Sequence, residues 1–88
     1  MNATFTKLDN GQILDTFLSL FSHMIVTRLY TPIYDDEGDF HAPMTKNIVI
    51  DKIQSPTKNI YLVDEFIEKR HNEILKTITK QQFNNLKI

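Results

Sequence analysis

The chain has 88 residues, a formal charge of −1 and no cysteine. This length favours one domain, residues 1–88, with a modest core, and the lack of cysteine excludes disulfides, thiolate zinc sites and thiol catalysis. Ile, Lys and Asn make up 26 of the 88 residues. Their codons are rich in A and T, so we expect an AT-rich genome, such as that of a low-GC bacterium or a phage.

The N-terminus lacks the basic start and apolar run of a secretory signal. The longest hydrophobic stretch, residues 13–26, is too short to span a bilayer and is interrupted by polar residues. We therefore expect a cytoplasmic protein without membrane contact.

The first element is predicted to be an amphipathic helix. Asp9 and Gln12 have the spacing of a capping box. Apolar residues then recur at helical spacing over half the circumference: Ile13, Leu14, Phe17, Leu18, Leu20, Phe21, Met24 and Ile25. The pattern predicts a helix over residues 13–26, followed by an extended strand to residue 34. An all-α fold, in which this helix continues through residues 25–30, is the alternative.

The centre of the chain is predicted to be a β-hairpin. Residues 29–34 and 40–44 are hydrophobic and aromatic, and Gly38 between them supplies the positive φ that a turn needs. The sequence "KNIVIDKI" predicts a further strand, whose alternating residues on one face are Val49, Asp51 and Ile53.

The chain is predicted to end in a second amphipathic helix. This helix begins at Ser55 and Pro56, or else residues 55–59 form a turn, residues 60–63 a strand, and Asp64 the helix cap. Both readings make residues 64–80 helical. The inner face is predicted to carry Val63, Phe66, Ile67, Ile74, Leu75 and Ile78.

The segment between residues 35 and 41 concentrates four carboxylates and a histidine. A calcium loop of EF-hand type fails, because aligning Gly38 with its central glycine places Ile33 and Met44 where carboxylates are required. We interpret the segment as a solvated hairpin turn. A docking surface for a basic partner and a metal or catalytic site are the alternatives.

Arg70, His71 and Asp64 lie on or beside the apolar side of the second helix. Polar groups on an inner face need partners, so we expect a capping Asp64 and a hydrogen-bonded, structural His71; contact with a partner is the alternative. The residues assigned to partner binding are accordingly Asp35, Asp36, Glu37, Asp39, Arg70 and His71.

The sequence contains no glycine-rich phosphate loop, no HExxH and no nucleophile elbow. We therefore expect no enzyme, no cofactor and no metal site. After Glu73 the chain has no acidic residue, and Lys76, Lys80 and Lys87 are able to meet nucleic-acid phosphates. The chain is not basic overall, however, which disfavours that function.

These patterns together predict an α+β fold, with N-terminal and C-terminal amphipathic helices packed on a small antiparallel sheet. Two broad apolar helix faces on so short a chain predict a homodimer or another protein partner. We expect a small non-enzymatic protein-interaction module that acts as an inhibitor, adaptor or regulator of a larger complex. A nucleic-acid-binding regulator that uses the C-terminal lysines is the alternative.

Overall fold

The computed structural model describes residues 3–32, 36–38 and 46–86, the last seven of these as backbone alone. Four strands precede one helix: β1 (Thr4–Lys7), β2 (Ile13–Ser19), β3 (Met24–Thr31), β4 (Lys46–Gln54) and α1 (Val63–Leu86). The strands form one antiparallel sheet in chain order, and α1 packs on one face of it. The α+β class is confirmed, whereas the predicted N-terminal helix and the all-α alternative are wrong.

The structure has β2, a turn and β3 in place of the predicted N-terminal helix. The prediction failed because β2 carries apolar residues on both of its faces. Ile13 and Phe17 lie on one face, while Leu14 and Leu18 lie on the other. When both faces of a strand are apolar, apolar residues occur as adjacent pairs, and in β2 two such pairs begin four residues apart. The apolar stripe of a helix produces the same spacing. The periodicity therefore did not distinguish a helix from a strand that is apolar on both sides.

The predicted capping box is the turn between β1 and β2. The Gly11 amide donates to the Leu8 carbonyl at 3.0 Å, and the Leu8 amide donates to the Gln12 carbonyl at 2.7 Å. The Asn10 side chain accepts from the Gln12 amide, and Gly11 has a φ of 87°. Asn-Gly is a strong local signal for a hairpin turn, and here it places β1 beside β2.

The turn between β2 and β3 spans residues 20–23. The His23 amide donates to the Ser19 carbonyl at 2.9 Å, and His23 has a φ of 54°. The left-handed region is sterically unfavourable for residues with a Cβ, although histidine is found there more often than most. The turn therefore reverses the chain within four residues.

β3 pairs with β4, the further strand predicted at "KNIVIDKI", whereas the predicted hairpin between residues 29–34 and 40–44 stays a prediction. Residues 40–44, predicted as its second strand, lie outside the described residues. Residues 36–38 form an exposed turn with Gly38 at a φ of 87°, as expected for a solvated segment.

The predicted alternation along β4 is interrupted by a β-bulge. Asp51 is opposite Thr27 and Val49 is opposite Arg28, which leaves Ile50 as the extra residue. Directly opposed residues share a face, so Asp51 and Ile53 face α1 whereas Val49 lies on the other side. The predicted grouping of Val49 with Asp51 and Ile53 is therefore wrong.

Residues 55–62 form turns, so both the helix start at Ser55 and the strand over residues 60–63 are wrong; only the turn at 55–59 is confirmed. The predicted C-terminal helix is confirmed as α1, which begins at Val63. Its inner face contributes to a core of four buried residues with two partly buried neighbours: Leu18, Ile25, Val63, Ile67, Ile53 and Phe66. This core lies at the end of the sheet where β2 ends and β3 begins.

Candidate functional site

Exposed apolar side chains are concentrated at one end of the sheet, which we name the apolar end. The turn between β2 and β3 and the turn that precedes α1 contribute five: Leu20, Phe21, Ile60, Tyr61 and Leu62. Phe21 is fully exposed and Tyr61 is 86% exposed. Apolar side chains exposed together at one end of a molecule are typical of sites that bind another macromolecule.

Backbone and side-chain hydrogen bonds fix the segments that carry the apolar end. The Ser55 amide donates to the His23 carbonyl at 3.1 Å, which joins the segment after β4 to the turn between β2 and β3. The Asn59 side chain accepts from the Tyr61 amide at 2.9 Å, and the Ser55 hydroxyl donates to the Thr57 carbonyl at 2.6 Å. Such local bonds fix turns of this type, so the apolar side chains project from a held backbone.

A buried polar network joins α1 to the sheet through His71. The ring lies between two hydroxyls, with Nε2 2.7 Å from Thr6 Oγ1 and Nδ1 2.9 Å from Thr16 Oγ1. Thr16 Oγ1 also lies 3.0 Å from Thr27 Oγ1. Burial lowers the pKa of His71, and the charge of Asp15 opposes that shift. Because hydroxyls both donate and accept, the neutral ring has a partner on each nitrogen.

On the opposite face of the sheet, Asp15 and Arg28 form a bidentate ion pair. Arg28 donates to the two carboxylate oxygens at 3.2 and 2.8 Å, and Asp15 is only 2% exposed. The guanidinium carbon also lies 4.4 Å from the ring centre of Phe17 and 4.8 Å from that of Tyr30. The hydrogen bonds with Asp15 raise the pKa of Arg28, and burial raises the pKa of the Tyr30 hydroxyl.

A second ion-pair cluster lies between α1 and β4. Arg70 donates to both oxygens of Asp51 at 2.8 Å and to Glu73 at 3.0 Å, and the bonds with Asp51 raise the pKa of Arg70. These three side chains form part of the wall of a groove of about 450 Å³, whose apolar lining is Ile50, Ile74 and Ile78. The charges in the groove are therefore paired with one another.

The structure does not bring the predicted partner-binding residues into one described surface. Asp36 and Glu37 are exposed in the turn beyond the end of β3, Arg70 lines the groove, and His71 is buried. Asp35 and Asp39 lie outside the described residues. The structural role expected for His71 is the one observed, and its 1% exposure leaves no surface for a partner.

The lysines of the nucleic-acid alternative follow Glu73 in the C-terminal part of the chain. Lys76 is exposed on α1, the side chain of Lys80 is not described, and Lys87 lies outside the described residues. No described helix is long and apolar enough to cross a membrane. Within residues 3–32, 36–38 and 46–86, no group of three or more histidine or acidic side chains is placed to hold a metal ion.

Sequence reasoning missed the residues of the apolar end. Leu20 and Phe21 were assigned to the buried face of a helix, and Tyr61 to a strand or helix. Two signals pointed elsewhere: Asn10-Gly11 as a hairpin turn, which removes the helix start, and Pro56 with Asn59 as turn formers. With β2 and β3 assigned as strands, the polar Ser22 and His23 mark the turn between them.

Comparison of the chain with protein families, curated proteins and solved structures finds no match in any of the three.

Proposed function

We propose that the protein is a small non-enzymatic protein-interaction module, which acts as an inhibitor, adaptor or regulator of a larger complex through its apolar end. The observation that carries this proposal is the exposure of five large apolar side chains on the turn between β2 and β3 and the turn that precedes α1. Burying such side chains against a partner removes apolar surface from water, which is the main driving force of protein association.

The composition and the rigidity of the apolar end support the proposal. Tyrosine and phenylalanine are enriched in protein interfaces, and tyrosine is among the residues that most often dominate binding energy. The turns are held by the Ser55–His23 backbone bond and by the Asn59 cap. A surface held in place before binding loses less conformational entropy when the partner arrives.

The engagement of three polar side chains within the fold favours a binding role over a catalytic one. His71 is held between Thr6 and Thr16, Asp15 is held by Arg28, and Asp51 is held by Arg70. A general base needs hydrogen-bond reach to a substrate, whereas these groups bond to other parts of the fold.

Site-specific photo-crosslinking tests the proposal. A benzophenone amino acid replaces Phe21 at the apolar end and, in a matched protein, Phe5, which is 64% exposed on β1. In extract of the source cells, we expect position 21 to capture one discrete protein that position 5 does not. The captured protein, once purified, is expected to bind Phe21→Ser and Tyr61→Ser at least tenfold more weakly than the wild type.

Phe5→Ser serves as the control in the binding titration, and its affinity is expected to equal that of the wild type. Circular dichroism confirms that each variant keeps the wild-type fold. Identical capture at positions 5 and 21, or no capture at either, contradicts the proposal.

A further inference from the structure

The sheet face opposite α1, which we name the open sheet face, carries a mixed set of aromatic and cationic side chains. The strand register places on it Phe5 and Lys7 from β1, Ile13, Asp15 and Phe17 from β2, Val26, Arg28 and Tyr30 from β3, and Asn47, Val49 and Lys52 from β4. Within the described part of the chain, no element packs on this face, since α1 lies on the other.

The charge of the open sheet face is positive although the whole chain has a net charge of −1. Lys7 and Lys52 are exposed at diagonally opposite corners. The register also places the acidic side chain of Asp15 on this face, where it is buried and its charge is neutralised by Arg28. Among the residues that the register places on this face, the exposed charges are therefore those of the two lysines.

Aromatic rings lie between the two lysines. Phe5 is 64% exposed and directly opposes Asp15, which in turn opposes Arg28. Arg28 is fixed by Asp15 and lies over the rings of Phe17 and Tyr30. Arg28 with the rings of Phe17 and Tyr30 is thus a preorganised set of planar groups on the two central strands, and Phe5 on the edge strand β1 is the most accessible of the three aromatic rings.

Charge decides which partner this face fits. A second copy packed face to face would gather four exposed lysines in one interface with no unpaired acidic residue of the register to meet them, and like charges oppose association. A single-stranded nucleic acid supplies both complements, phosphates for the lysines and planar bases for the aromatic rings. The diagonal between the lysines is roughly 20 Å from the strand spacing and rise, which is a span of a few nucleotides.

We propose that the open sheet face binds single-stranded nucleic acid, with phosphates at Lys7 and Lys52 and a base stacked on Phe5. This surface is separate from the apolar end, so the inference goes beyond the proposed function. It also uses residues other than the C-terminal lysines of the sequence-based alternative.

Fluorescence anisotropy with labelled oligouridine and oligothymidine tests the inference. We expect saturable binding that weakens with salt, with a log–log slope of about −1.4 for two phosphate contacts on a single strand. Phe5→Ala removes the stacking ring and is expected to weaken binding on the order of tenfold. Lys7→Glu combined with Lys52→Glu is expected to abolish binding. The two oligonucleotides show whether the face distinguishes RNA from DNA.

Matched controls change the same residue types elsewhere. Phe21→Ala at the apolar end, and Lys58→Glu combined with Lys69→Glu, remove an exposed ring and two exposed lysines from other surfaces. Both control proteins are expected to bind the oligonucleotides as the wild type does. Phe5→Ala is also expected to leave the crosslinking at position 21 unchanged, so the two proposals fail independently.

Three outcomes overturn the inference. The first is no binding at low salt by a protein whose circular dichroism is native. The second is equal affinity for polyglutamate that Phe5→Ala does not change, which indicates an acidic protein partner. The third is a dimer that Phe5→Ala dissociates, which indicates that a second copy covers the face.

Discussion

The imidazole of His71 lies between the hydroxyls of Thr6 and Thr16 at the interface of α1 with the sheet. Neither of these partners carries a negative charge, so the surroundings favour the neutral ring, and burial lowers the pKa of His71. A protonated ring would have to donate from both nitrogens while losing its hydration. The network therefore stabilises the fold in one protonation state of the histidine.

The lowered pKa of His71 predicts that the free energy of unfolding decreases on acidification at pH values above those at which most carboxylates titrate. Between the folded pKa and the ordinary value of about 6.5, the unfolded chain binds more protons, so the free energy of unfolding falls as the pH falls. The slope is at most about 1.4 kcal/mol per pH unit. Urea unfolding at a series of pH values measures it, and His71→Gln is expected to reduce the slope. An unchanged slope in that variant contradicts the assignment.

The two members of the Asp15–Arg28 pair differ in exposure, at 2% and 28%. Removing Arg28 leaves a carboxylate with almost no access to water, whereas removing Asp15 leaves a guanidinium that still reaches solvent. Removing one partner of an ion pair lowers the stability most when the charge that remains is buried. The pair is therefore expected to be asymmetric in its response to mutation.

We predict that Arg28→Met lowers the free energy of unfolding by on the order of 3 kcal/mol, and that Asp15→Leu lowers it by less. The double variant, which leaves neither charge, is expected to be more stable than Arg28→Met alone. Urea unfolding of the three proteins under one buffer condition decides the order. A larger loss for Asp15→Leu than for Arg28→Met contradicts the argument.

At the scale of the elements, the turn between β1 and β2 sets the pairing of the first two strands. Gly11 has a φ of 87°, and a Cβ placed on it meets no atom within 4 Å. Substitution at this position therefore changes the backbone energy without a steric clash. The hairpin register depends on this conformation, since Lys7 lies opposite Ile13 immediately beyond the turn.

We predict that Gly11→Ala destabilises the protein by about 1–2 kcal/mol, because alanine in the left-handed region carries that cost. Gly11→Asn is the matched substitution, and we expect it to cost less, since asparagine adopts this region more readily. Thermal unfolding followed by circular dichroism measures both. Equal stability of Gly11→Ala and the wild type would show that the turn changes conformation without cost.

At the scale of the whole molecule, β4 is a nine-residue strand on the edge of the sheet. It exposes three consecutive β-branched side chains, Ile48, Val49 and Ile50. A long apolar edge strand offers unpaired backbone groups to another strand. Formation of a homodimer thus remains a proposal. The feature that supports it is this edge strand and no longer two apolar helix faces.

We predict that the wild type self-associates through β4 and that Ile48→Lys, at a position 60% exposed, makes the protein monomeric. Sedimentation velocity over a range of concentrations measures the association. Phe21→Lys is the control, because it adds the same charge at the apolar end. A monomeric wild type, or equal dissociation by both variants, contradicts the assignment of self-association to β4.

Local sequence patterns were enough to predict the C-terminal helix, the strand that begins at Lys46 and the structural role of His71. In each case local information was sufficient: helical periodicity over many residues, β-branched residues in succession, and a histidine on an apolar helix face. The exposed turn at Gly38 follows from the same kind of local chemistry. The α+β class rests on these elements.

The pairing of β2 (Ile13–Ser19) and β3 (Met24–Thr31) and the exposure of the apolar end depend on contacts between segments distant in the sequence. The apolar pairs of β2 fit a helix and a two-sided strand equally well, and pairing with β1 and β3 selects the strand. The burial of Asp15 likewise depends on Arg28 from the neighbouring strand. Periodicity describes one segment at a time, whereas the exposure of Phe5 or Phe21 depends on which other segments pack beside it.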